Sequence, residues 1–434
     1  MTHPGPQSIP AAASPGTRKK IAVVTTSRAD YSHLYWPLKD LAAHPDIDLQ
    51  LIVLAAHLSP EYGLTVAEIE RDGLPIAARL ECLLSSDSDV GMAKTLGLAV
   101  LSLADTLAQL RPDLLLLIAD RYEMLAPASV ALTLRIPVAH IEGGEISEGA
   151  IDDQVRNAIT KLAHLHFTST ETARARVVSM GEEPWRVLRA GAPSLDHLRR
   201  STLLTRPQLE AALNLSLADN ISGHITVVAY HPVTLLADTT AEADAVFTAL
   251  EAHALQPNTQ ILFCYPNADA GSHALMDRVR AFCKTHPNAH LFVNLPAITY
   301  WSLLREATLL LGNSSSGIME AASFALPVVN IGLRQHGRER APNILDSPDS
   351  DAAPAPDALP TPTDILAKIS LAQSPVFRGP LRDLANPYGD GHAAERIVSR
   401  ILKILTTTPR ADLLRKRAQP LPHLEPTVPI ELSS

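Results

Sequence analysis

Apolar positions along the chain fall into two patterns, short continuous runs and longer stretches with helical spacing. The runs at 21–25, 114–118 and 138–141 are dominated by apolar and β-branched residues, as is typical of strands buried on both faces of a sheet. Between them, stretches such as 92–110 have helical spacing, and Pro112 closes that one. Regular alternation of strand and helix predicts a doubly wound parallel sheet.

The same rhythm restarts in the second half of the chain. After a helical connector at 201–222, apolar runs recur at 225–230, 260–265 and 328–331. We therefore predict an α/β protein with two Rossmann-like domains that face each other across a cleft. The expected divisions are a disordered leader at 1–18, a first domain at 19–197, a second domain at 198–385, a helix at 386–405 and a disordered tail at 406–434.

Composition narrows the class of protein. A chain of 434 residues is too long for one ordinary core, and 46% hydrophobic residues suit a packed globular protein. A net charge of −9 argues against broad nucleic-acid binding, which needs a basic surface. No uninterrupted apolar run approaches ~18 residues, so no membrane span is expected. The three unpatterned cysteines and the lack of an apolar signal core predict a cytoplasmic location.

Charged side chains follow several of the predicted strands directly. Open parallel sheets bind ligands at the carboxyl ends of their strands, so these side chains are expected to line the cleft. Any one of them could instead cap a helix. The residues concerned are Arg28, Asp30, Asp120, Arg121, Glu142 and, at the opening strand of the second domain, His231.

Acidic residues and a glycine pair cluster between 138 and 168. Gly143 and Gly144 follow Glu142, and glycines let the backbone pass close to a ligand. Asp152 and Asp153 open the next helix. Carboxylates gathered around such an opening raise one another's pKa and can exchange protons near neutral pH. The alternative is that they are ordinary helix-terminal and loop charges.

A loop of small residues at 312–320 precedes another helix. Asn313, Ser314 and Ser315 leave backbone N–H groups and hydroxyls aimed at one point, an arrangement that suits a diphosphate. No Lys follows Gly317, so this is not an NTPase phosphate loop, and the dinucleotide spacing is also missing. Glu320 could accept hydrogen bonds from ribose hydroxyls. A capped helix start with a dipole-complementing acid is the alternative.

Two further sets of polar residues have an ordinary explanation beside the functional one. Arg334, Arg338 and Arg340 would offset a pyrophosphate if they face the cleft, but such charge runs are often solvated loops. A lone histidine such as His231 is more often a structural group. His164 and His166 alternate with Leu165 and lack further candidate ligands, so no metal site is expected.

A set of short motifs occurs in order between residue 27 and about residue 397. Their segments are SRADY at 27–31, DRYE at 120–123, HIEGGE at 140–145, GAIDD at 149–153, ITK at 159–161, HP at 231–232, GNSSSG at 312–317 and NPYGDG at 386–391. Each motif is weak by itself, whereas the ordered set is specific. On these motifs the chain resembles the hydrolysing UDP-N-acetylglucosamine 2-epimerases of sialic-acid and related nonulosonic-acid synthesis.

The resemblance implies a glycosyltransferase-B-like fold whose last helix crosses back to the first domain. It also implies that the second domain holds most of the UDP, that the sugar faces the first domain, and that the protein is a homodimer or homotetramer. No cofactor is expected beyond the UDP-sugar substrate. By the match, the catalytic carboxylates would be Asp120, Glu142 and Asp152, and His231 would lie by the phosphates. The nucleotide diphosphate would be held by Arg28, Arg121, Ser314, Ser315 and Glu320, with Arg334 assisting them.

The family's reaction eliminates UDP from the sugar and then adds water to the glycal, releasing free N-acetylmannosamine. The C2 proton is barely acidic until the C1–O bond begins to break, after which a carboxylate can remove it. Asp120 and Glu142 are therefore assigned to proton transfer at C2, and Asp152 to orienting the sugar or delivering water. Asn157 and Met319 depart from the family pattern, which bears on substrate detail more than on reaction type. Glu148 makes the loop before Asp152 slightly long.

Three other functions fit the same motifs less well. A non-hydrolysing epimerase would release a UDP-linked epimer in place of free sugar. A glycosyltransferase of the same architecture would need an acceptor and would show no hydrogen exchange at C2. A non-catalytic nucleotide-sugar sensor would have no use for the full set of carboxylates.

Overall fold

The structure is a computed structural model. It describes residues 18–85, 88–146, 151–219, 223–231, 242–265, 272–293, 295–349 and 359–419. The predicted leader up to residue 17, Glu148 and the tail from residue 420 lie outside the described residues.

The first half of the chain forms one parallel sheet of seven strands. These are Lys19–Thr25 (β1), Ile47–Leu54 (β2), Ile76–Leu80 (β3), Leu114–Ile118 (β4), Val138–Ile141 (β5), Leu165–Thr168 (β6) and Val187–Arg189 (β7). Their spatial order is β3-β2-β1-β4-β5-β6-β7. Every residue of β4 and β5 is buried, which explains their continuous apolar runs. The helices between them are Arg28–Ala43 (α1), Val66–Arg71 (α2), Asp89–Leu110 (α3), Leu125–Thr133 (α4), Ile151–Leu162 (α5), Glu171–Ser179 (α6) and Pro193–Arg200 (α7).

The second half forms a parallel sheet of six strands. They are His224–Ala229 (β8), Thr259–Tyr265 (β9), Ala289–Val293 (β10), Leu309–Gly312 (β11), Val328–Ile331 (β12) and Ile344–Ser347 (β13), in the order β10-β9-β8-β11-β12-β13. Its helices are Arg206–Leu213 (α8), Ala243–Ala254 (α9), Ser272–Thr285 (α10), Ala297–Glu306 (α11), Ser315–Met319 (α12), Pro362–Gln373 (α13) and Pro375–Arg378 (α14). Two doubly wound parallel sheets confirm the predicted fold class.

The helix Ala393–Thr407 (α15) returns to the first half of the molecule. Its apolar face, which includes Ile397 and Ile401, is buried in the core of the first sheet and packs against α1. The carboxylate of Asp196 in α7 accepts hydrogen bonds from the backbone N–H groups of Ala393 at 2.8 Å and Ala394 at 3.2 Å. The start of α15 is thereby capped by a residue from another element, as helix N-termini require.

The prediction of disorder from Thr406 is wrong for residues 406–419. The helix α15 continues to Thr407, and a further helix, Arg410–Leu414 (α16), buries Leu413 in the first core. The buried guanidinium of Arg186 donates hydrogen bonds to the carbonyls of Leu413 and Arg415, both at 2.8 Å. The Pro-rich composition favours disorder, but a cation at the helix C-terminus and apolar burial outweigh it.

Among the residues that the structure describes, one helix is long and apolar enough to span a membrane. The helix α3 has 22 residues and a mean hydropathy of 1.4 in its most apolar window. One of its faces, with Ala99, Leu103 and Leu107, is buried in the first core, while Leu98 and Leu101 remain exposed. The helix holds no uninterrupted apolar run of membrane-spanning length, because the charged residues Lys94 and Asp105 lie within it.

Candidate active site

The strand order brings the chemically interesting loops together. Each sheet has one topological switch point, where the strand order changes direction. It lies between β1 and β4 in the first sheet and between β8 and β11 in the second. Loops that leave the carboxyl ends of such strands diverge and create a crevice. The first crevice is bordered by the loops after β1, β4 and β5, and the second by those after β8, β11 and β12.

Asp120 follows β4 and is held by Arg156 of α5. Nη2 of Arg156 donates a short hydrogen bond to Oδ2 of Asp120, and its Nη1 donates to the carbonyl of Glu145 at 2.9 Å. The guanidinium is almost wholly buried, whereas the carboxylate is one-fifth exposed. The pair therefore presents an oriented carboxylate at the surface of the crevice.

Glu142 follows β5 and is paired with His33 of α1. Nδ1 of His33 lies 2.9 Å from Oε1 of Glu142, and the glutamate side chain is only 10% exposed. Burial by itself would raise the pKa of Glu142, but the charge and hydrogen bond of His33 outweigh burial and lower it. Glu142 thus departs from the expectation that clustered carboxylates raise one another's pKa, because a cation lies against it. At Glu145, burial together with the charges of Glu142 and Glu339 raises the pKa.

The second domain contributes Glu320 and Arg338 to the same region. His33 interacts electrostatically with both residues, and Arg338 also acts on Glu142 and Glu145. Burial raises the pKa of Glu320, partly offset by the charges of His33 and Arg338. Carboxylates from both domains thus share one set of cations, so the two crevices form a single interdomain cleft.

Asp152 lies at the start of α5 near Arg121. Burial raises the pKa of Asp152, and the charge of Arg121 opposes this increase. Nη2 of Arg121 donates to Oε1 of the buried Glu123 at 2.7 Å, an ion pair that raises the pKa of Arg121 although burial acts to lower it. Arg121 is therefore a fixed cation next to a carboxylate that can hold a proton more readily than an exposed aspartate.

The backbone is strained next to both strand-end carboxylates. Ala119, directly before Asp120, has a φ of 59°, and Glu142 itself has a φ of 64°. Residues with a Cβ rarely adopt this left-handed conformation, and such strain concentrates at functional sites. The loops after β4 and β5 both turn sharply here, which directs the two carboxylates into the crevice.

The glycine pair after Glu142 has a packing explanation. A Cβ on Gly144, where φ is 80°, would lie 2.3 Å from the carbonyl oxygen of Ala173 in α6. A Cβ on Gly143 would lie 3.1 Å from both His140 Nδ1 and Thr160 Oγ1. The packing of α6, His140 and Thr160 thus requires these glycines, and their predicted contact with the substrate stays a prediction.

Asp30 serves the turn at the start of α1. Its buried carboxylate accepts hydrogen bonds from the backbone N–H groups of Thr26 and Ser27 and from the hydroxyls of Thr25, Thr26 and Ser27. Its oxygens are therefore occupied by protein donors, and its predicted part in substrate binding stays a prediction. The turn that it fixes presents Arg28, which is exposed at the first position of α1.

Asn313 and His231 are locked together across the second sheet. The side chain of Asn313, which is fully buried, accepts from the backbone N–H of His231 at 2.7 Å and donates to its carbonyl at 2.8 Å. The carbonyl of Asn313 in turn accepts from Arg334 at 2.8 Å and Gln335 at 2.9 Å. Asn313 and Arg334 thus fix the loops that carry His231 and the serines.

The serines after β11 form a helix cap beside the cleft. Ser314 is the N-cap of α12, and its Oγ accepts from the backbone N–H of Ser316 at 3.4 Å. The hydroxyls of Tyr300 and Ser316 lie 2.7 Å apart. Ser315 is exposed at the first helical position, where its N–H group has no intrahelical acceptor. Ser314 therefore acts as a helix cap, and binding of an anion at this helix start stays a prediction.

The histidines considered as metal ligands have protein partners. Nδ1 of His164 accepts from the backbone N–H of Val138 at 3.1 Å, and Nε2 of His166 lies 3.2 Å from the carboxylate of Glu182. Within the described ranges, no group of three or more His, Cys, Asp or Glu side chains has an arrangement suited to a metal ion.

A separate concavity is lined mainly by residues from 189–203 and 384–396, and Asp120, Glu142 and Asp152 are not among its lining residues. Its volume is about 870 Å³, and Arg189, Arg199 and Arg396 are among its lining residues. These guanidiniums already bind the carboxylates of Asp390 and Glu395 and several backbone carbonyls. Its charge is largely neutralised internally, so the interdomain cleft is the better candidate for a doubly charged ligand.

Three residues beside the carboxylates were not singled out from the sequence. His33 and Arg156 were not considered, and Arg338 was named only as part of a charge run. A signal existed for Arg156, because it lies four residues after Asp152 and hence on the same face of α5. No local pattern marks His33, whose partner Glu142 is 109 residues away.

The structure therefore gathers Asp120, Glu142, Asp152, Arg121 and Glu320 around one cleft, and their individual roles in binding and catalysis stay predictions. Two ionised carboxylates held by cations could accept protons. A third acid whose pKa is raised could donate one, and arginines with a helix N-terminus could stabilise a departing anion.

Comparisons with known proteins identify the family of the chain. The sequence profile of the UDP-N-acetylglucosamine 2-epimerases matches residues 39–402. A Campylobacter jejuni protein named GDP/UDP-N,N'-diacetylbacillosamine 2-epimerase (hydrolyzing) is 37% identical over 77% of this chain and 86% of its own. A Legionella pneumophila UDP-N,N'-diacetylbacillosamine 2-epimerase (hydrolyzing) is 36% identical over 87% and 94%. The Escherichia coli polysialic acid biosynthesis protein P7 is 31% identical over 89% and 95%.

Solved structures share the fold at lower identity. A Listeria monocytogenes structure described as a UDP-N-acetylglucosamine 2-epimerase matches with a TM-score of 0.72 and 18% identity, covering 91% of this chain and 98% of that one. A Neisseria meningitidis UDP-GlcNAc 2-epimerase bound to UDP-GlcNAc matches with a TM-score of 0.67 and 19% identity, covering 88% and 100%.

Proposed function

This chain belongs to the UDP-N-acetylglucosamine 2-epimerase family, and on that premise we propose that it is a hydrolysing epimerase of a UDP-linked 2-acetamido sugar. The reaction consumes water and releases UDP and the free sugar with inverted configuration at C2. The observation that carries the proposal is the pair of strand-end carboxylates, Asp120 and Glu142, each held by a buried or half-buried cation at the interdomain cleft.

The first step is an elimination. A carboxylate, Asp120 or Glu142, accepts the proton from C2 while the C1–O bond to the diphosphate breaks and a C1=C2 double bond forms. Arg28, Arg121 and the N-terminus of α12 lie at the cleft loops and would stabilise the diphosphate as it leaves. A carboxylate next to C1 also stabilises the oxocarbenium character that makes the C2 proton removable.

The second step is hydration of the glycal. Water adds its oxygen to C1, and a proton is delivered to C2 on the face opposite to the one from which it was removed. Asp152 is suited to this step because burial raises its pKa, so it retains a proton more readily than an exposed aspartate. UDP keeps the electron pair of the broken C1–O bond, and no redox partner is needed.

Among acetamido sugars, we propose N,N'-diacetylbacillosamine as the sugar moiety. The two relatives named for that sugar are 36–37% identical to this chain, compared with 31% for the polysialic acid protein and for a Neisseria meningitidis UDP-N-acetylglucosamine 2-epimerase. Met319 is one of the departures from the family pattern, and its Sδ lies 3.6 Å from Nη1 of Arg338 at the cleft. This position is compatible with a modified sugar pocket. UDP-N-acetylglucosamine is the second candidate, favoured by the family as a whole.

Incubation with each UDP-sugar in D2O, followed by proton NMR, tests both parts of the proposal. We expect free 2-epimer with deuterium at C2, together with UDP, and faster turnover of the diacetylbacillosamine substrate. A UDP-linked epimer would point to the non-hydrolysing reaction, and transfer to an acceptor without C2 deuterium would point to a glycosyltransferase. No exchange and no release with either sugar would overturn the proposal.

We also propose that the protein forms a homo-oligomer through an apolar surface, here called the α3–α4 face. The helix α3 exposes Val90 and Leu101, at 62% and 69%, and the neighbouring α4 and its C-terminal end expose Leu132 and Leu134. Clustered exposed apolar side chains are typical of protein–protein contact sites. The resemblance to a family of oligomers supports a second copy of this chain as the partner.

A further inference from the structure

His33, which belongs to none of the motifs given above, lies next to Glu142. His33 belongs to the second turn of α1, five residues after Arg28, and its Nδ1 lies 2.9 Å from Oε1 of Glu142. The histidine side chain is 32% exposed and the glutamate side chain 10%, so the pair lies in the wall of the cleft with the histidine nearer to solvent.

We propose that His33 is a positioning residue for the elimination step: as an imidazolium it holds Glu142 ionised and oriented into the cleft, ready to accept the C2 proton. The inference rests on the proposed function, because it assigns a partner to a carboxylate of that reaction. His33 acts through Glu142, and no contact between His33 and the sugar is assumed.

The charges around His33 keep its ring protonated at neutral pH. Glu142 at the end of β5 and Glu320 after α12 both favour the imidazolium, while Arg338 from the second domain opposes it. Burial acts to lower the pKa of His33, but the two carboxylates outweigh burial and raise it to about 9. Since Glu320 and Arg338 belong to the second domain, the charge state of His33 also depends on how the two domains face each other.

A purely structural role explains the pair poorly. An ion pair at a half-buried site gains little stability over a well-packed apolar pair, because desolvation of both charges offsets their attraction. Nε2 of His33 has no hydrogen-bond partner in the part of the chain that the structure describes. The pair also fixes the side chain of a residue whose backbone φ is 64°, so orientation of Glu142 depends on His33 as well as on the strained turn.

The pH dependence of kcat/KM distinguishes a positioning role from a structural one. In the natural enzyme we expect activity to fall on the acid side as Glu142 takes up a proton, and on the alkaline side near pH 9 as His33 loses one. His33→Asn keeps a hydrogen-bond donor but removes the charge. The pKa of Glu142 then rises, so the acid limb moves to higher pH, and kcat falls about tenfold or more.

Two matched variants complete the experiment. His33→Lys keeps the cation, so the acid limb should stay in place while the alkaline limb moves towards the higher pKa of lysine, about 10.4. His44→Asn changes the histidine at the opposite end of the same helix, outside the cleft, and should behave as the natural enzyme. Unchanged acid limb and unchanged kcat in His33→Asn would overturn the inference.

A titration of the His33 ring by NMR separates this inference from the proposed function. The ring should titrate near pH 9 in the natural protein and at a distinctly lower pH in the Glu142→Gln variant. A ring that titrates at its ordinary value in both proteins overturns the pairing, whatever the enzyme assay gives. Absence of turnover in the natural protein, with the raised ring pKa present, overturns the proposed function and the positioning role that depends on it.

Discussion

The guanidinium of Arg156 donates a hydrogen bond to the carboxylate of Asp120, and this pair ties α5 to the end of β4. Asp152 belongs to the same helix as Arg156, so the pair ties the helix that carries Asp152 to the loop that carries Asp120. Burial and the nearby charges of Arg338 and Arg176 together lower the pKa of Arg156 to about 10, and it stays a cation at neutral pH.

Replacement of Asp120 by asparagine should abolish turnover while UDP still binds. General base catalysis contributes about 10²–10⁴-fold, and an amide cannot accept the C2 proton. Release of UDP and free sugar gives the rate, and calorimetric titration with UDP gives the affinity. Glu142→Gln serves as the parallel variant, and substantial activity in both amides would remove the two carboxylates from the mechanism.

Arg338 and Arg340 should differ in what they support, although they lie two residues apart. Arg338 acts electrostatically on Glu142, Glu145 and Glu320. Arg338→Gln should therefore move the acid limb of the activity profile to higher pH and weaken UDP binding about tenfold or more. Arg340 is held by Asp346 at 3.1 Å and by the carbonyl of Gln335 at 2.7 Å.

Arg340→Gln should therefore lower the melting temperature and leave the acid limb unchanged. Calorimetric titration with UDP and thermal unfolding of the two variants provide the comparison. Equal effects of both substitutions on UDP affinity would show that the whole charge run, and not Arg338 alone, faces the ligand.

Glu182 should make the attachment of the C-terminal segment sensitive to acid. Its side chain is fully buried and accepts from Lys161 at 2.6 Å and Lys416 at 2.8 Å. Burial would raise its pKa, but His166 and the two lysines lower it from 4.5 to about 2. A depressed carboxyl pKa stabilises the folded state above the unfolded value, and the contribution is lost as pH falls from 4.5 towards 2.

Glu182→Gln should accordingly reduce the free energy of unfolding at pH 7 by on the order of 3 kcal/mol. The difference from the natural protein should shrink as pH falls from about 4.5 to 2, which chemical denaturation at a series of pH values measures. Glu171→Gln, in an exposed ion pair with Arg174, is the matched control and should change stability by less than about 1 kcal/mol.

Gly144→Ala should be far more damaging than Gly63→Ala. Both glycines have nearly the same φ, 80° and 83°, but a Cβ at Gly144 meets the carbonyl oxygen of Ala173 at 2.3 Å and a Cβ at Gly63 meets nothing within 4 Å. The conformational cost common to both is about 1 kcal/mol. Thermal unfolding of the pair isolates the steric part, and equal losses would contradict the close approach of α6.

Disruption of the α3–α4 face should dissociate the oligomer. Leu101→Glu places a charge on the most exposed leucine of α3, whereas Leu255→Glu, at an 81% exposed leucine of the second domain, is the control. Light scattering on the natural protein should give a dimer or tetramer, the first variant a smaller species and the second no change. A natural protein with the mass of one chain would contradict the proposed oligomer.

The sequence alone determined the class of the fold and the family. Periodicity is local, so the apolar runs at β1, β4, β5, β8 and β12 could be recognised without knowledge of their neighbours. The charged residues at their ends were predicted to meet because parallel strands present their carboxyl ends at one edge. Composition predicted the C-terminal segment less well, because it favoured a disordered tail. Burial of Leu413 and the hydrogen bond from Arg186 to its carbonyl order that segment.

Only the tertiary structure decided which partner each of these residues has. His33 and Glu142 are 109 residues apart, and Arg156 and Asp120 are 36 apart, so no spacing rule connects them. Asp30, Gly143 and Gly144 are predicted to contact the ligand, and the structure adds a cap and close packing that the sequence does not show. The physical reason is that periodicity depends on neighbours along the chain, whereas the charge state and orientation of a side chain depend on whatever strand order and domain pairing bring against it.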